Sequence, residues 1–250
     1  VIPLALHEEL ERDGAWLFRW RSYLPLVLLV LAVVVMSEFS YPGNSEELDI
    51  AWETFCLLVS TTGLVVRAFT IGYTPRGTSG RNTAGQVAEE LNTTGIYSVV
   101  RHPLYLGNFI MMLGISLFPH QWWFTLIYVL AFWLYYERIM SAEERFLREK
   151  FGAQFTAWAA RTPPFIPNPK LWEPSVLPFS FRNVLRREYN GFFAMVLTFF
   201  FLEVRGDFAV QGKLMVETGW MVLLAVSAVI WIVLRTLKRK TTVLNVEGRQ

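Results

Sequence analysis

What most limits the folds open to this chain is a series of long, nearly uncharged apolar runs. Tyr23–Phe39 is built mainly from Leu, Val and Ala, Ile50–Tyr73 carries only Glu53 and Arg67, and Leu214–Leu234 carries only Glu217. Lipid offers the backbone no hydrogen-bond partners, so a run of about 20 apolar residues satisfies itself as a helix that crosses the bilayer. Pro103–Phe118 and Trp122–Met140 read as a hairpin of two more spans around Pro119, His120 and Gln121, and Gly191–Val204 as a brief further one. The expectation is an all-α integral membrane protein with about six transmembrane helices. Charged residues make up only 18% of the 250, whereas a soluble domain carries about 25%. The single cysteine, Cys56, excludes a disulfide scaffold, and a net charge of +2 gives no case for nucleic acid.

Basic residues set the orientation. Arg12, Arg19 and Arg21 precede the first run, whereas Ser40–Asp49 holds Glu46, Glu47 and Asp49 and no base. Arg76, Arg81 and Arg101 fall in the next connection, none in the hairpin turn, and many between Arg138 and Arg187; Arg235, Lys238, Arg239 and Lys240 follow the last run. This alternation puts both termini, Thr74–His102 and Ser141–Asn190 in the cytoplasm. The first run follows a charged segment and is too long for a signal-peptide core, so it reads as a span.

Polar chemistry gathers on that cytoplasmic face. Thr74–Thr83 is rich in Gly and hydroxyls and includes Arg76 and Arg81; it reads equally as a turn-rich connector or as a cradle for phosphate. Ser141-Ala-Glu-Glu144 has capping-box spacing, and Leu147, Phe151, Phe155 and Trp158 recur at helical intervals. That pattern predicts an amphipathic helix lying on the membrane or closing over a site. The prolines from Pro163 to Pro178 predict a stiff, extended strap. In Arg101-His102-Pro103-Leu104-Tyr105-Leu106-Gly107, proline suits the first helical position, so His102 caps the third span beside the positive end of its dipole. The hairpin then brings Arg101–Tyr105 and Glu137–Leu147 to one corner. Such a corner suits a zwitterion with a second cationic centre: carboxylate to His102 and the helix end, ammonium to Glu143 or Glu144, sulfonium to aromatic faces such as Tyr97 and Tyr105. That ligand is S-adenosylmethionine. His7, His102 and His120 lack ligand spacing, so no metal centre is expected.

With these motifs in hand, the stretch from about Leu91 to Pro167 resembles the isoprenylcysteine carboxyl methyltransferase and phospholipid methyltransferase superfamily. The residues carrying the likeness are Thr94-Gly95-Ile96-Tyr97, the segment Arg101–Gly107, Glu143-Glu144-Arg145-Phe146-Leu147, Phe151-Gly152 and Arg161-Thr162-Pro163. The resemblance implies a methyl-donor site made by His102, Tyr97, Tyr105, Gly107, Glu143, Glu144 and Leu147, capped by the amphipathic helix and loop. It implies catalytic roles for Arg161, which would orient an anionic acceptor, and Arg101. Phe155 departs from the tyrosine usual there and receives no polar role. Thr78–Thr83 and Leu91–Gly95 are similar to bacterial lipid A phosphate methyltransferases, which would make Arg76 and Arg81 ligands of a lipid phosphate in a bacterial inner membrane.

The division expected is a two-helix membrane region and loop over 1–90, a methyltransferase core over 91–170 and a two-helix extension over 171–250. The activity expected is methyl transfer to an anionic oxygen, most simply phosphate, of a membrane lipid or lipidated partner, with carboxyl methylation of an isoprenylcysteine-like acceptor as the alternative. An amine acceptor would need a proton sink, for which Glu137 is the candidate. A small transporter is the rival class, since Glu53 and Arg67 lie inside apolar runs, but no internal repeat supports it.

Overall fold

The computed structural model describes residues 13–14, 16–20, 23–75, 88–214 and 216–249. Arg76 and Arg81, together with Arg12 and Arg21, lie outside the described residues. Among those described there are helices and no strand; Gly95 and Glu173 form an isolated antiparallel bridge.

The apolar runs become α1 (Leu24–Val35), α2 (Glu46–Tyr73), α3 (Pro103–Leu117), α4 (Trp122–Phe151), α6 (Phe181–Gln211) and α7 (Thr218–Lys240), with α5 (Ala153–Arg161) between α4 and α6. Two of them, α2 and α7, are long and apolar enough to cross a membrane, and Pro25–Glu38 and Pro103–Leu117 are shorter apolar helices. Val27, Val30 and Val34 on α1, and Val222, Val229 and Ile232 on α7, point outward. A water-soluble bundle would turn such stripes inward; a lipid-facing one leaves them where they are.

Local chemistry fixes the helix ends. Ser45 Oγ accepts from Leu48 N, and Glu46, Glu47 and Asp49 occupy the first turn of α2, where the dipole favours negative charge. α3 starts at Pro103 with His102 as its N-cap, as the sequence predicts. Two expectations need correcting. Ser141 does not begin a helix: α4 runs unbroken through Ser141–Glu144, because no glycine or proline interrupts it before Gly152, whose φ of 52° ends it. Nor is the segment before Gly191 a connector, since α6 already begins at Phe181, with Ser180 accepting from Asn183 N.

The tightest helix contact joins α2 to α3, through small residues. A Cβ on Gly63 would stand 2.3 Å from Met111 N and 2.5 Å from Gly107 O, and one on Gly114 2.3 Å from Cys56 O. Such surfaces let backbones touch where lipid provides no hydrophobic drive, and Ser60 Oγ adds a 2.6 Å hydrogen bond to Met111 O. Two aromatic-rich cores fill the bundle: Met36, Phe118, Phe199 and Trp220 at one end, and Tyr128, Phe132, Tyr136 and Phe165 nearer the other.

The proline-rich strap is present. Arg101 N and His102 N donate to Pro163 O and Pro164 O at 2.9 and 3.2 Å, and Asn168 N to Val99 O at 2.9 Å. Near the C-terminus, Arg249 donates to Gly72 O and Pro178 O, tying residues 72, 178 and 249 together.

Candidate active site

The corner foreseen from the hairpin exists. α3 starts and the polar half of α4 ends on the same side, so the side chains of Arg101, His102 and Tyr105 meet those of Glu143 and Glu144. His102, 6% exposed, places Nε2 2.9 Å from Glu144 Oε1, and Arg101 Nη1 donates to Glu144 Oε2 at 2.8 Å. Burial alone would raise the Glu144 carboxyl. The His102 hydrogen bond and the charges of His102, Arg101 and Arg148 outweigh it and hold the group below the usual carboxylate range.

Glu143 is different. Its Oε2 accepts from Tyr105 Oη at 2.8 Å and lies 3.8 Å from His102 Nδ1, and its side chain is 31% exposed. The Tyr105 ring stacks on His102 at 5.6 Å and stands 5.0 Å from the Tyr136 ring. Arg101 Nε is buried without a hydrogen-bond partner. The corner therefore offers one carboxylate open to solvent, one unsatisfied guanidinium N–H and adjoining aromatic faces. That donor set fits the amino-acid end of a methyl donor: ammonium to Glu143, carboxylate to Arg101, cationic sulfur to the rings. Of the two carboxylates open to the ammonium in the sequence, Glu144 is already engaged in holding His102 and Arg101.

The other residues singled out scatter around this corner. Tyr97 O accepts from Trp158 Nε1 at 3.0 Å, which ties α5 to the segment that leads into Arg101, and Phe155 and Trp158 are buried. Burial pushes the Tyr97 hydroxyl up, Glu143 adds to the rise and Arg187 opposes it. Gly107 faces α2: a Cβ there would stand 2.5 Å from Arg67 Cγ, so its absence serves helix packing. Leu147 is half-buried on α4. Arg161 ends α5 with its side chain 54% exposed, 3.3 Å from Glu173, while Glu137 is exposed.

Three residues that sequence reasoning did not join to the site continue its polar network into the bundle. Arg67 donates to Glu188 through Nε and Nη2, both at 2.8 Å, and through Nη1 to Asn108 Oδ1 at 2.5 Å; Asn108 Nδ2 lies 3.4 Å from Tyr136 Oη. An arginine inside an apolar run demands a partner, which was the available signal, but nothing in the sequence points to Glu188. Asn108 and Tyr136 also border a cavity of about 300 Å³ between α1, α3, α4 and α6, otherwise lined by apolar groups such as Leu28, Met112, Phe132 and Met195.

Residues 54–154 match the family model described as phospholipid methyltransferase. That stretch is therefore similar to the phospholipid methyltransferase superfamily, the likeness expected from the motifs around Arg101–Gly107 and Glu143–Leu147. The superfamily stretch contains Arg67, Asn108 and every residue of the corner. Over 154 residues, 61% of this chain and 65% of the relative, the sequence is 32% identical to the nickel-cobalt-cadmium resistance protein NccN of Alcaligenes xylosoxydans xylosoxydans. It is 37% identical over 89 residues, 36% of the chain and 41% of the relative, to the cobalt-zinc-cadmium resistance protein CzcN of Cupriavidus metallidurans. With the protein-S-isoprenylcysteine O-methyltransferase of Schizosaccharomyces pombe it shares 35% over 77 residues, 31% of the chain and 33% of that enzyme. The chain thus spans less than two thirds of each of these relatives. No solved structure matches it.

Proposed function

We infer that this chain is an integral membrane methyltransferase that uses S-adenosylmethionine to methylate an anionic oxygen, best a phosphate, of a lipid held in the bilayer. One observation carries the reading: within the superfamily stretch, an open carboxylate (Glu143) and an unsatisfied guanidinium N–H (Arg101 Nε) flank aromatic rings, one of which, Tyr136, also borders an apolar cavity.

S-adenosylmethionine, when bound, supplies a methyl group on an electrophilic sulfonium. The chain's part is placement. Glu144 locks His102 and Arg101, so that Arg101 Nε would hold the donor's carboxylate and Glu143 its ammonium. Tyr105 and Tyr136 present ring faces to positive charge, and the Arg67–Asn108 network fixes Tyr136 at the cavity's edge. An acyl or prenyl chain in the cavity would bring its headgroup to that edge. In the transfer, a carbon–oxygen bond forms as the carbon–sulfur bond breaks, and a phosphate oxygen needs no base because it is already ionised. Holding two reactants in line is worth roughly 7–11 kcal/mol of barrier. Arg161, with Arg76 and Arg81, would grip acceptor oxygens, since a guanidinium binds two and leaves another free.

This reading takes the six apolar helices as spans with the corner and both termini in the cytoplasm of a bacterium. It makes 91–170 the catalytic core and gives 171–250 the task of supplying Glu188 and one cavity wall. Capping a lipid phosphate removes negative charge that attracts divalent cations, a change useful to a protein named for metal resistance, as two relatives are. A carboxylate acceptor on an isoprenylated thiol is the second reading, favoured by the likeness to the yeast enzyme.

The test is incubation of the purified protein with radiolabelled methyl donor and either extracted bacterial lipids or a prenylated cysteine, followed by mass spectrometry. One methyl gained on a phosphorylated lipid is expected. Labelling only of the prenylated cysteine would replace the phosphate reading with the second, and no donor binding by calorimetry would overturn both.

A further inference from the structure

At the end of the bundle opposite His102, carboxylates converge without a counter-charge. Glu53 on α2, Glu203 on α6 and Glu217 at the N-cap of α7 each bring one carboxylate oxygen within 4.8 Å of the other two. Glu53 and Glu203 are each 5% exposed, and Glu217 forms a half-buried lip. Among the described residues no ion pair joins these three to Lys or Arg, and the nearby Arg205 is engaged with Ser37 Oγ at 2.7 Å.

A cluster of acids could be a by-product of polar helix ends, but the atoms left over here argue otherwise. Trp220 Nε1 donates to Glu53 Oε2 at 3.1 Å and orients that carboxylate, whereas Glu53 Oε1 is buried and meets no donor other than the carboxyl of Glu203. One helical turn away, Asp49 Oδ1 and His120 Nε2, 3.7 Å apart, are also buried without hydrogen-bond partners. Asp207 by contrast is occupied, accepting from Tyr41 Oη at 2.9 Å. Buried acceptors that face only one another are stable when a cation sits among them.

We propose that Glu53, Glu203 and Glu217 form a binding site for one divalent cation at the end of the bundle remote from the methyl-transfer corner. Three carboxylate oxygens are the donors of a hard ion such as Mn²⁺ or Ca²⁺. A cation there would bridge α2, α6 and α7, and so join the superfamily stretch to the C-terminal helices. The site stands apart from the methyl-transfer reading and does not depend on it.

The experiment uses the full chain in detergent micelles, stripped with chelator and titrated with Mn²⁺, with free metal read by electron paramagnetic resonance. A single saturable site is expected, displaced by excess Ca²⁺ and accompanied by a rise in Tm. Glu53→Gln should weaken binding tenfold or more. Glu217→Gln, at the half-buried lip outside the helix packing, should weaken it several-fold, and exposed Glu149→Gln should leave it unchanged. Absence of saturable binding would mean that Glu53 and Glu203 merely share a proton, and overturns the proposal. Equal Mn²⁺ affinity in the parent, Glu53→Gln and Glu217→Gln overturns it as well.

Discussion

Removing Glu188 probes how the bundle tolerates Arg67. The pair is bidentate at 2.8 Å, with side-chain exposures of 17% for Arg67 and 6% for Glu188. Deleting one partner of a buried pair costs about 3–5 kcal/mol, because the other charge stays buried uncompensated. Arg67 lies six residues before the end of α2, roughly 9 Å of helix, so its head can partly snorkel to the surface and the lower part of that range applies. Glu188→Gln should therefore lose about 3–4 kcal/mol, a fall in Tm of roughly 6–16 °C by the scaling of about 2–4 °C per kcal/mol for chains of this size. The double variant Arg67→Met/Glu188→Leu removes both charges and should return to within about 1 kcal/mol of the parent, since an apolar replacement of a buried pair is commonly neutral. Its methyl transfer should stay low, because Asn108 loses the arginine that holds it beside Tyr136. Tryptophan-fluorescence melts in nanodiscs, paired with the labelled-donor assay, separate the two effects. A double variant as unstable as Glu188→Gln would refute the uncompensated-charge argument, and one with full turnover would remove the network from catalysis.

Other expectations follow from single contacts. Gly63→Val places its Cβ 2.3 Å from a backbone nitrogen of α3 and should cost at least about 1–3 kcal/mol in the same melts; an unchanged Tm would mean that α2 and α3 are not in contact. Arg161→Ala removes an exposed pair worth about 0–1 kcal/mol, so stability and donor affinity should hold while turnover falls; full turnover would take Arg161 out of the mechanism. Glu144→Gln should reduce donor affinity about tenfold, read by calorimetry. Because the folded Glu144 carboxyl is held low, its stabilisation is complete above the unfolded value of about 4.3 and is lost as pH falls through the folded one. The stability gap between parent and Glu144→Gln should thus be flat from neutral pH to about 5 and close in acid; a gap that widened there would contradict the ion pairing.

Legibility in the sequence followed the range of the interactions. The apolar runs marked the helices because hydropathy is local, and Pro103 marked the start of α3 because its missing N–H costs least there. The hairpin turn then placed Arg101–Tyr105 beside Glu143 and Glu144 by geometry alone. Ser141 misled because Ser-x-x-Glu spacing occurs within helices as well as at their starts, and only a breaker such as Gly152 distinguishes the two. The start of α6 at Phe181 was hidden because Glu188 and Asn183 look like loop residues until their partners appear: Arg67 for one and Ile71 O for the other, across the bundle on α2. Glu53, Glu203 and Glu217 were each visible, but their convergence comes from packing among three helices.

Both ends of the bundle face the same difficulty, polar groups drawn into a medium that cannot solvate them, and they differ in what remains after internal pairing. At the His102 end, Glu144 has Arg101 and His102, and Glu188 has Arg67. Arg101 Nε is left buried and unpartnered, and Glu143 keeps an open carboxylate. One donor and one acceptor at the same corner suit a zwitterion. At the opposite end the leftovers are two carboxylate oxygens and an imidazole nitrogen, on Glu53, Asp49 and His120, and two oxygens of the same sign call for a cation. A surplus of this kind is costly in the free protein, and that cost is the physical ground on which both the methyl-donor proposal and the cation proposal rest.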